Sequence, residues 1–412
     1  MTINELQEQA LTMSAPYMAK LAPIAVANTK KVLAAFKENQ LSDYHFNGTS
    51  GYGYDDVGRE TLDKVYASIF KAEAAIVRPQ FVSGTHALAT VLMAVVGNGE
   101  KGKEILSAVG APYDTMRTVI GTSGATKDNL IARGFIYKEA PTVDGKYDLE
   151  GIGELVTPET AVVLIQRSRG YSTRNPLSIE DIEVIIKTVK AKNPETICFV
   201  DNCYGEFTDT REPIEVGADI LAGSLIKNLG GGIAPTGAYV AGRADLVEKT
   251  ADYLTAPGLG SHMGSYAPGY RLFFQGLFLA PHVVVEALKG AIFTAAVMKL
   301  MGYQVFPQME DNRLDLIQSV QLHSAKEMEY FCQGLQAYSP VDAHVKPIPG
   351  DLPGYKDKII MACGAFVQGS SIELSADGPI REPYLIYVQG GLVFEHSMLG
   401  ILGAAEELLK HR

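Results

Sequence analysis

Asp201 and Lys227 stand 26 residues apart, each at the end of an apolar run, and both residue types do chemistry. Asp201 closes the run in TICFVDNCYGEF, and Lys227 follows AGSLI and precedes NLGGG. An acid and a lysine at neighbouring strand ends can form a simple ion pair. The glycines after the lysine instead imply close approach by something bulky. A third element is Ser83-Gly84-Thr85-His86, set between a strand-like run and an apolar helical one. Small residues at a helix N-terminus leave backbone N–H groups free, with the positive end of the helix dipole behind them, which makes a phosphate cup. Alone, such a sequence is also an ordinary N-cap. Ser224, three residues before Lys227, adds a hydroxyl to the same anion. A phosphate cup, a carboxylate and a lysine together are what pyridoxal phosphate requires. Asp201 then pairs with the pyridine nitrogen, and Lys227 forms the imine with the aldehyde carbon. To act as nucleophile and base, Lys227 needs a lowered amine pKa, which burial near a cationic ring supplies.

The elements that must position these groups follow from the apolar pattern. Short apolar runs are expected as strands at Ala75–Val77, Ile105–Val109, Phe135–Lys138, Ala161–Ile165, Thr196–Val200, Ile220–Ala222 and Gly237–Ala241. Helical patterns such as Ser178 to Lys192 lie between several of them. Nearly continuous apolar strands alternating with helices predict an α/β fold, a mainly parallel, seven-stranded sheet covered on both faces. Ligands in such sheets sit beyond the carboxyl ends of the strands. Residues 5–40 read as helices with Lys30, Lys31 and Lys37 on one face, and another amphipathic helix follows the glycine- and tyrosine-rich stretch Asn47 to Glu60. After Pro281 a long helix leads to Tyr303. Beyond it come a helix (Asp315–Leu335), a proline-rich loop (Lys346–Gly354) and strands at Ile359–Ala362, Ser371–Leu374 and Leu385–Val388. The expected division is an N-terminal helical segment (1–50), a large cofactor-binding domain (51–285) and a smaller α+β domain (286–412).

Composition narrows the partners. At about 150 residues per domain, 412 residues allow two or three domains, and 47% hydrophobic residues can fill them. The net charge of −11, with no basic run longer than two residues, argues against nucleic acid and anionic membranes. The most apolar stretch, Ala280 to Met301, is broken by His282, Glu286, Lys289 and Lys299 and reads as a buried helix. The N-terminus has no signal-peptide pattern. Cys198, Cys203, Cys332 and Cys363 show no C-x-x-C or zinc spacing, so reduced thiols, no metal site and a cytoplasmic location are expected.

The order of cup, aspartate and lysine resembles the fold-type I pyridoxal-phosphate enzymes. Flanking residues are most similar to the cystathionine/methionine lyase group. More narrowly, GYGYDDVGRE, VDNCYGEF, GSLIKNLGGGIAPTGAYVAG and ELSADGPIREPY resemble the methionine gamma-lyase family proteins also labelled aluminium resistance proteins. The likeness spans roughly residues 40–400. It implies the fold-type I transferase fold, with Lys227 as the Schiff-base lysine, Asp201 as the pyridinium partner, and Ser83, Gly84, Thr85 and Ser224 at the phosphate. It implies that Tyr113, in APYDTMRT, stacks on the cofactor ring and serves as first candidate for general acid. A half-buried loop tyrosine is the alternative. Tyr54, or Tyr52, with Arg59 falls where the group reaches a neighbouring subunit's phosphate, which implies a homodimer or homotetramer with active sites at the interface. Arg381 falls where related lyases hold the substrate α-carboxylate; the alternative is a surface ion pair with Glu382 or Asp377. Arg167 and Arg169 are cations beyond the related pattern, expected at the cofactor or at a second anionic group on the substrate.

The expected reaction is β- or γ-elimination from a sulfur amino acid, such as cystathionine, cysteine or methionine, releasing thiol, ammonia and a keto acid. Alternatives are an aminotransferase, racemase or aldolase on the same cofactor, or a cofactor-binding regulatory or metal-tolerance protein without turnover.

Overall fold

The computed structural model describes residues 2–411 apart from 98, 100–101, 125, 144, 173 and 353–354. Residues 353–354, the end of the expected proline-rich loop, therefore lie outside the described residues. Two helices, α1 (Ile3–Ala19) and α2 (Ala22–Glu38), open the chain and pack on a later long helix. Helix α3 (Val57–Phe70) follows. A seven-stranded sheet comes next, built from β1 (Ala74–Arg78), β2 (Glu104–Ser107), β3 (Ile136–Glu139), β6 (Thr160–Gln166), β7 (Ile197–Asp201), β8 (Ile220–Ser224) and β9 (Ala238–Gly242). Their order across the sheet is β1-β9-β8-β7-β6-β2-β3, and β9 alone runs against its neighbours. A small hairpin, β4 (Thr142–Val143) and β5 (Lys146–Tyr147), stands apart.

All seven expected strands form. Val163, Ile165, Cys198 and Val200 enter one core cluster, and their alternate neighbours Val162, Leu164, Ile197 and Phe199 enter the other. Because successive side chains point to opposite faces, a strand buried on both must read as an unbroken apolar run. The covering helices are α4 (Gly84–Val96), α5 (Asp114–Ile120), α6 (Leu149–Leu155), α7 (Ile179–Lys192) and α8 (Ala244–Leu254). A capping box starts α7: Ser178 Oγ accepts from the Asp181 N–H at 3.0 Å, and Asp181 accepts from the Ser178 N–H at 2.8 Å.

Helix α9 (Arg271–Leu300) starts ten residues before the expected point and runs unbroken through Pro281 and residue 285. It contacts α1, α2, the turn after Lys227 and the second sheet. That sheet is antiparallel throughout, in the order β10 (Gln304–Phe306), β11 (Gln318–Gln321), β14 (Leu385–Gln389), β13 (Ser375–Pro379) and β12 (Ile359–Cys363). Helices α10 (Ala325–Gln336) and α11 (Phe394–Lys410) pack together beside it.

Two local expectations are corrected here. The helix expected from Asp315 starts only at Ala325, because Gln318–Gln321 is taken as a strand between β10 and β14. The strand expected at Ser371–Leu374 lies four residues later, where Ser375–Pro379 pairs on both sides. Among the described residues, no helix is long and apolar enough to cross a membrane.

Candidate active site

A cavity of about 380 Å³ lies at the carboxyl ends of β6, β7 and β8, facing the N-terminus of α4 and closed by one face of the second sheet. It brings together Ser83, Gly84, Thr85, Tyr113, Asp201, Ser224 and Lys227. Ser83 does cap α4, its Oγ accepting from the His86 N–H at 3.1 Å. That leaves the first-turn N–H groups of Gly84 and Thr85 for an outside acceptor. Gly84 is needed for close approach: a β-carbon there would lie 3.1 Å from Ser224 Cβ and crowd the cup.

Asp201 is buried at the end of β7, and its Oδ1 accepts from the Cys203 N–H at 3.1 Å. Burial raises its pKa and the nearby Lys227 charge opposes that, so the carboxylate favours a cation beside it. Lys227 Nζ stands over the Tyr204 ring, 4.3 Å from its centroid. Tyr204 itself holds φ 70, a costly left-handed conformation for an aromatic residue.

Two expectations about the lysine are revised. Burial does work against charge on Lys227, but Cys203, Tyr204, Asp201 and Tyr113 around it outweigh that, and the amine is held well above its ordinary range. The glycines that follow it admit the chain's own backbone. A side chain at Gly230 would strike the Leu225 carbonyl, and one at Gly231 the Gly276 carbonyl of α9. They fix the turn that presents the lysine.

Tyr113 is set by its N–H donating to Gln166 Oε1 at 2.9 Å and by its hydroxyl lying 3.1 Å from Thr85 Oγ1. Burial first, then Asp201 and Cys203, push that hydroxyl far above its usual range, so it keeps its proton. Gln166 ends β6 opposite Asp201 in the register, and its role was not legible in the sequence.

Other expected residues lie elsewhere. Arg381 is half exposed and paired with Asp357 at 2.8 Å, in a neighbouring surface pocket that also holds Arg117 and Lys356. It does not line the cavity. Arg59 is buried in its own chain, donating to the carbonyls of Gly53, His262 and Gly264. It anchors the loop that displays Tyr52 and Tyr54, both exposed, with ring centroids 5.6 Å apart. Arg167 and Arg169 also stay clear of the cavity lining. Arg167 donates to Asn202 at 2.9 Å and sits 3.4 Å from Glu212; Arg169 donates to the Phe306 carbonyl at 2.9 Å and lies beside Asp315. Both are buried inside the protein among those partners.

The second sheet supplies residues the sequence reading missed. Met361, Asp377 and Tyr387 form one cross-strand row on β12, β13 and β14, and all three line the cavity with Tyr171, Tyr355 and Gln389. In ELSADGPIREPY the charge that enters the cavity is thus the aspartate, four residues before the arginine.

Comparison with known proteins gives the family and the fold. The family model described as methionine gamma-lyase matches residues 3–409. The chain is 45% identical over 396 residues to the uncharacterized protein YnbB of Bacillus subtilis (strain 168), covering 95% of this chain and 93% of that one. It superposes with TM-score 0.93 and 47% identity on a Clostridium novyi structure named as a carbon-sulfur lyase involved in aluminum resistance, covering 98% and 95% of the two chains. At 16% identity and TM-score 0.57, yeast cystathionine gamma-lyase, over 86% of each chain, shares the fold alone. The fold is that of the fold-type I pyridoxal-phosphate enzymes.

Proposed function

This chain belongs to the methionine gamma-lyase family, and we propose that it is a pyridoxal-phosphate-dependent carbon–sulfur lyase releasing a thiol, ammonia and a keto acid from a sulfur amino acid. One observation carries the reading: the cup, Asp201 and Lys227 line a single cavity at the strand ends. The residues fit the cofactor. Gly84, Thr85 and Ser224 would hold its phosphate, Asp201 its ring nitrogen and Lys227 its aldehyde. Bound there, the group supplies an electron sink for a bond broken at the substrate's α carbon.

The chain's own residues do the rest. The Lys227 amine, once free, takes the α-proton. Asp201, whose pKa burial raises and the Lys227 charge lowers, would favour a protonated ring nitrogen beside it. Tyr113, whose hydroxyl keeps its proton, would donate it to the departing sulfur.

The cup offers hydroxyls and amides, and Lys227 is the one cation among the described residues lining the cavity. Val82, directly before Ser83, is 80% exposed, and Tyr52 and Tyr54 are exposed on their loop. These features support a homo-oligomer in which a second copy covers the cup. We place the protein in the cytoplasm, where its four free cysteines stay reduced.

The test is the purified protein with added pyridoxal phosphate. A visible absorbance band that borohydride fixes onto Lys227, absent in Lys227→Ala, is expected. Cystathionine, cysteine and methionine should then be screened for thiol and ammonia without an added keto acid. Amino-group transfer that requires a keto acid would replace elimination with transamination, and the absence of any band would sink the reading.

A further inference from the structure

The turn that carries Tyr204 is held in a conformation its residues do not favour. Tyr204 has φ 70 and Phe207 φ 60, both in the left-handed region and neither a glycine. Such backbone persists where its surroundings over-determine it, and it gathers at working sites. Arg167, fully buried, spans this turn, donating to Asn202 Oδ1 at 2.9 Å and to Thr208 Oγ1 at 3.3 Å. A side chain at Gly205 would strike the same arginine. The Asn228 amide, next to Lys227, donates to the Glu206 carbonyl at 2.8 Å. The turn is thus tied to the one that presents the lysine.

What this arrangement brings to the cavity is the Tyr204 ring, whose centroid is 4.3 Å from Lys227 Nζ. Burial raises the Tyr204 hydroxyl above its ordinary range against the Lys227 charge, so the side chain is neutral. Its pull on the lysine is therefore that of a π face, which favours an ammonium over an amine. The other titratable groups facing Lys227 are Asp201, Cys203 and Glu206 on β7 and its turn, Tyr113 ahead of α5, and Asp377 on β13. Burial keeps the protons on Cys203 and Tyr113, and it pushes Asp377 up to about 7 and Glu206 up to about 8. Asp201 is taken by the ring nitrogen in the proposed function. The π face remains as the contact made for the lysine head.

We propose that Tyr204 is a catalytic residue whose ring face receives the Lys227 amine once it is free and stabilises the ammonium formed when it takes the α-proton. In that step the substrate's α carbon–hydrogen bond breaks and its proton goes to Lys227 Nζ. The electron pair goes to the sink that the cofactor supplies. The strained turn fixes the ring where that ammonium appears. This rests on the reading of Lys227 as the base, and it adds the group that makes the base strong.

The test replaces the ring's charge distribution without changing its shape. Tyr204→Phe is compared with mono-, di- and trifluorinated phenylalanine at the same position, each fluorine weakening the π face. In cofactor-free protein, the pH midpoint for acetylation of Lys227 by acetic anhydride is read on its peptide by mass spectrometry. Tyr204→Phe should keep the wild-type midpoint to within about 0.3 of a pH unit, and the fluorinated series should lower it stepwise, by about half to one unit in all. In holoenzyme, exchange of the norleucine α-hydrogen with heavy water should slow in the same order, several-fold in all, with KM little changed. A midpoint and an exchange rate that ignore fluorination overturn the proposal. So does a loss in Tyr204→Phe as large as in the trifluoro ring, which would assign the effect to the hydroxyl. Exchange that ignores fluorination leaves the lyase reading standing. Wild-type holoenzyme that neither exchanges an α-hydrogen nor releases thiol from any amino acid would sink both.

Discussion

Asp201 and Asp377 are both buried carboxylates lining one cavity, and their neighbours give them different work. Asp201 faces Lys227 and the cup, so its charge matters for the electron sink. Asp201→Asn should leave the cofactor bound but lower elimination by about a hundredfold or more, read as kcat beside the cofactor absorbance. Asp377 is pushed up to about 7, by burial first, against its hydrogen bonds from Tyr171 and Gln389. Glu206, buried with Tyr239 donating to its Oε1 at 2.8 Å, is likewise pushed up to about 8 by burial. Unfolded, both titrate near about 4. Between about pH 4 and pH 8 these two groups therefore hold more protons folded than unfolded, and their contribution to stability falls as pH rises. In cofactor-free protein, Asp377→Asn should raise Tm at about pH 8 and leave it unchanged near about pH 4. An Asp377→Asn Tm no higher than wild type at about pH 8 would contradict the assignment.

At the scale of elements, the lysine depends on a contact far along the chain. A β-carbon at Gly276 of α9 would strike the Gly230 carbonyl, and one at Gly231 would strike the Gly276 carbonyl. Gly276→Ala should cost about 1–3 kcal/mol and weaken cofactor attachment together, measured by thermal unfolding and by borohydride-fixed label. The sequence showed the glycines but not what they make room for, because the partner helix is some fifty residues away. The seven strands of the large sheet were legible because burial on both faces leaves a continuous apolar run. The strand carrying Asp377 was not, because Ser-Ala-Asp-Gly-Pro has no such run and becomes a strand only through pairing with β12 and β14. The residues read from the sequence as the cup, Asp201 and Lys227 do share one cavity, for the same reason that the other half of that cavity was missed. The first half sits at the ends of apolar strands and on a helix N-terminus, while the second depends on side-chain rows across a sheet. Arg381 was misplaced because a cation's direction on a hairpin turn is set by its partner, here Asp357.

At the scale of the whole molecule, the exposed Val82, Tyr52 and Tyr54 and a cup short of cations support the proposed homo-oligomer. A mass measurement in solution should give a dimer or larger, and Tyr54→Ala should weaken cofactor binding several-fold without unfolding the chain. A fully active monomer would remove that expectation. The two walls of the cavity belong to different sheets, one carrying Lys227, Asp201 and Ser224, the other carrying Met361, Asp377 and Tyr387. Met361 and Tyr387 flank Asp377 on one face, while the alternate residues Ile360 and Ile386 lie in the core. Changes at these three positions would reshape one wall of the cavity while the strands that carry Lys227, Asp201 and Ser224 stay as they are.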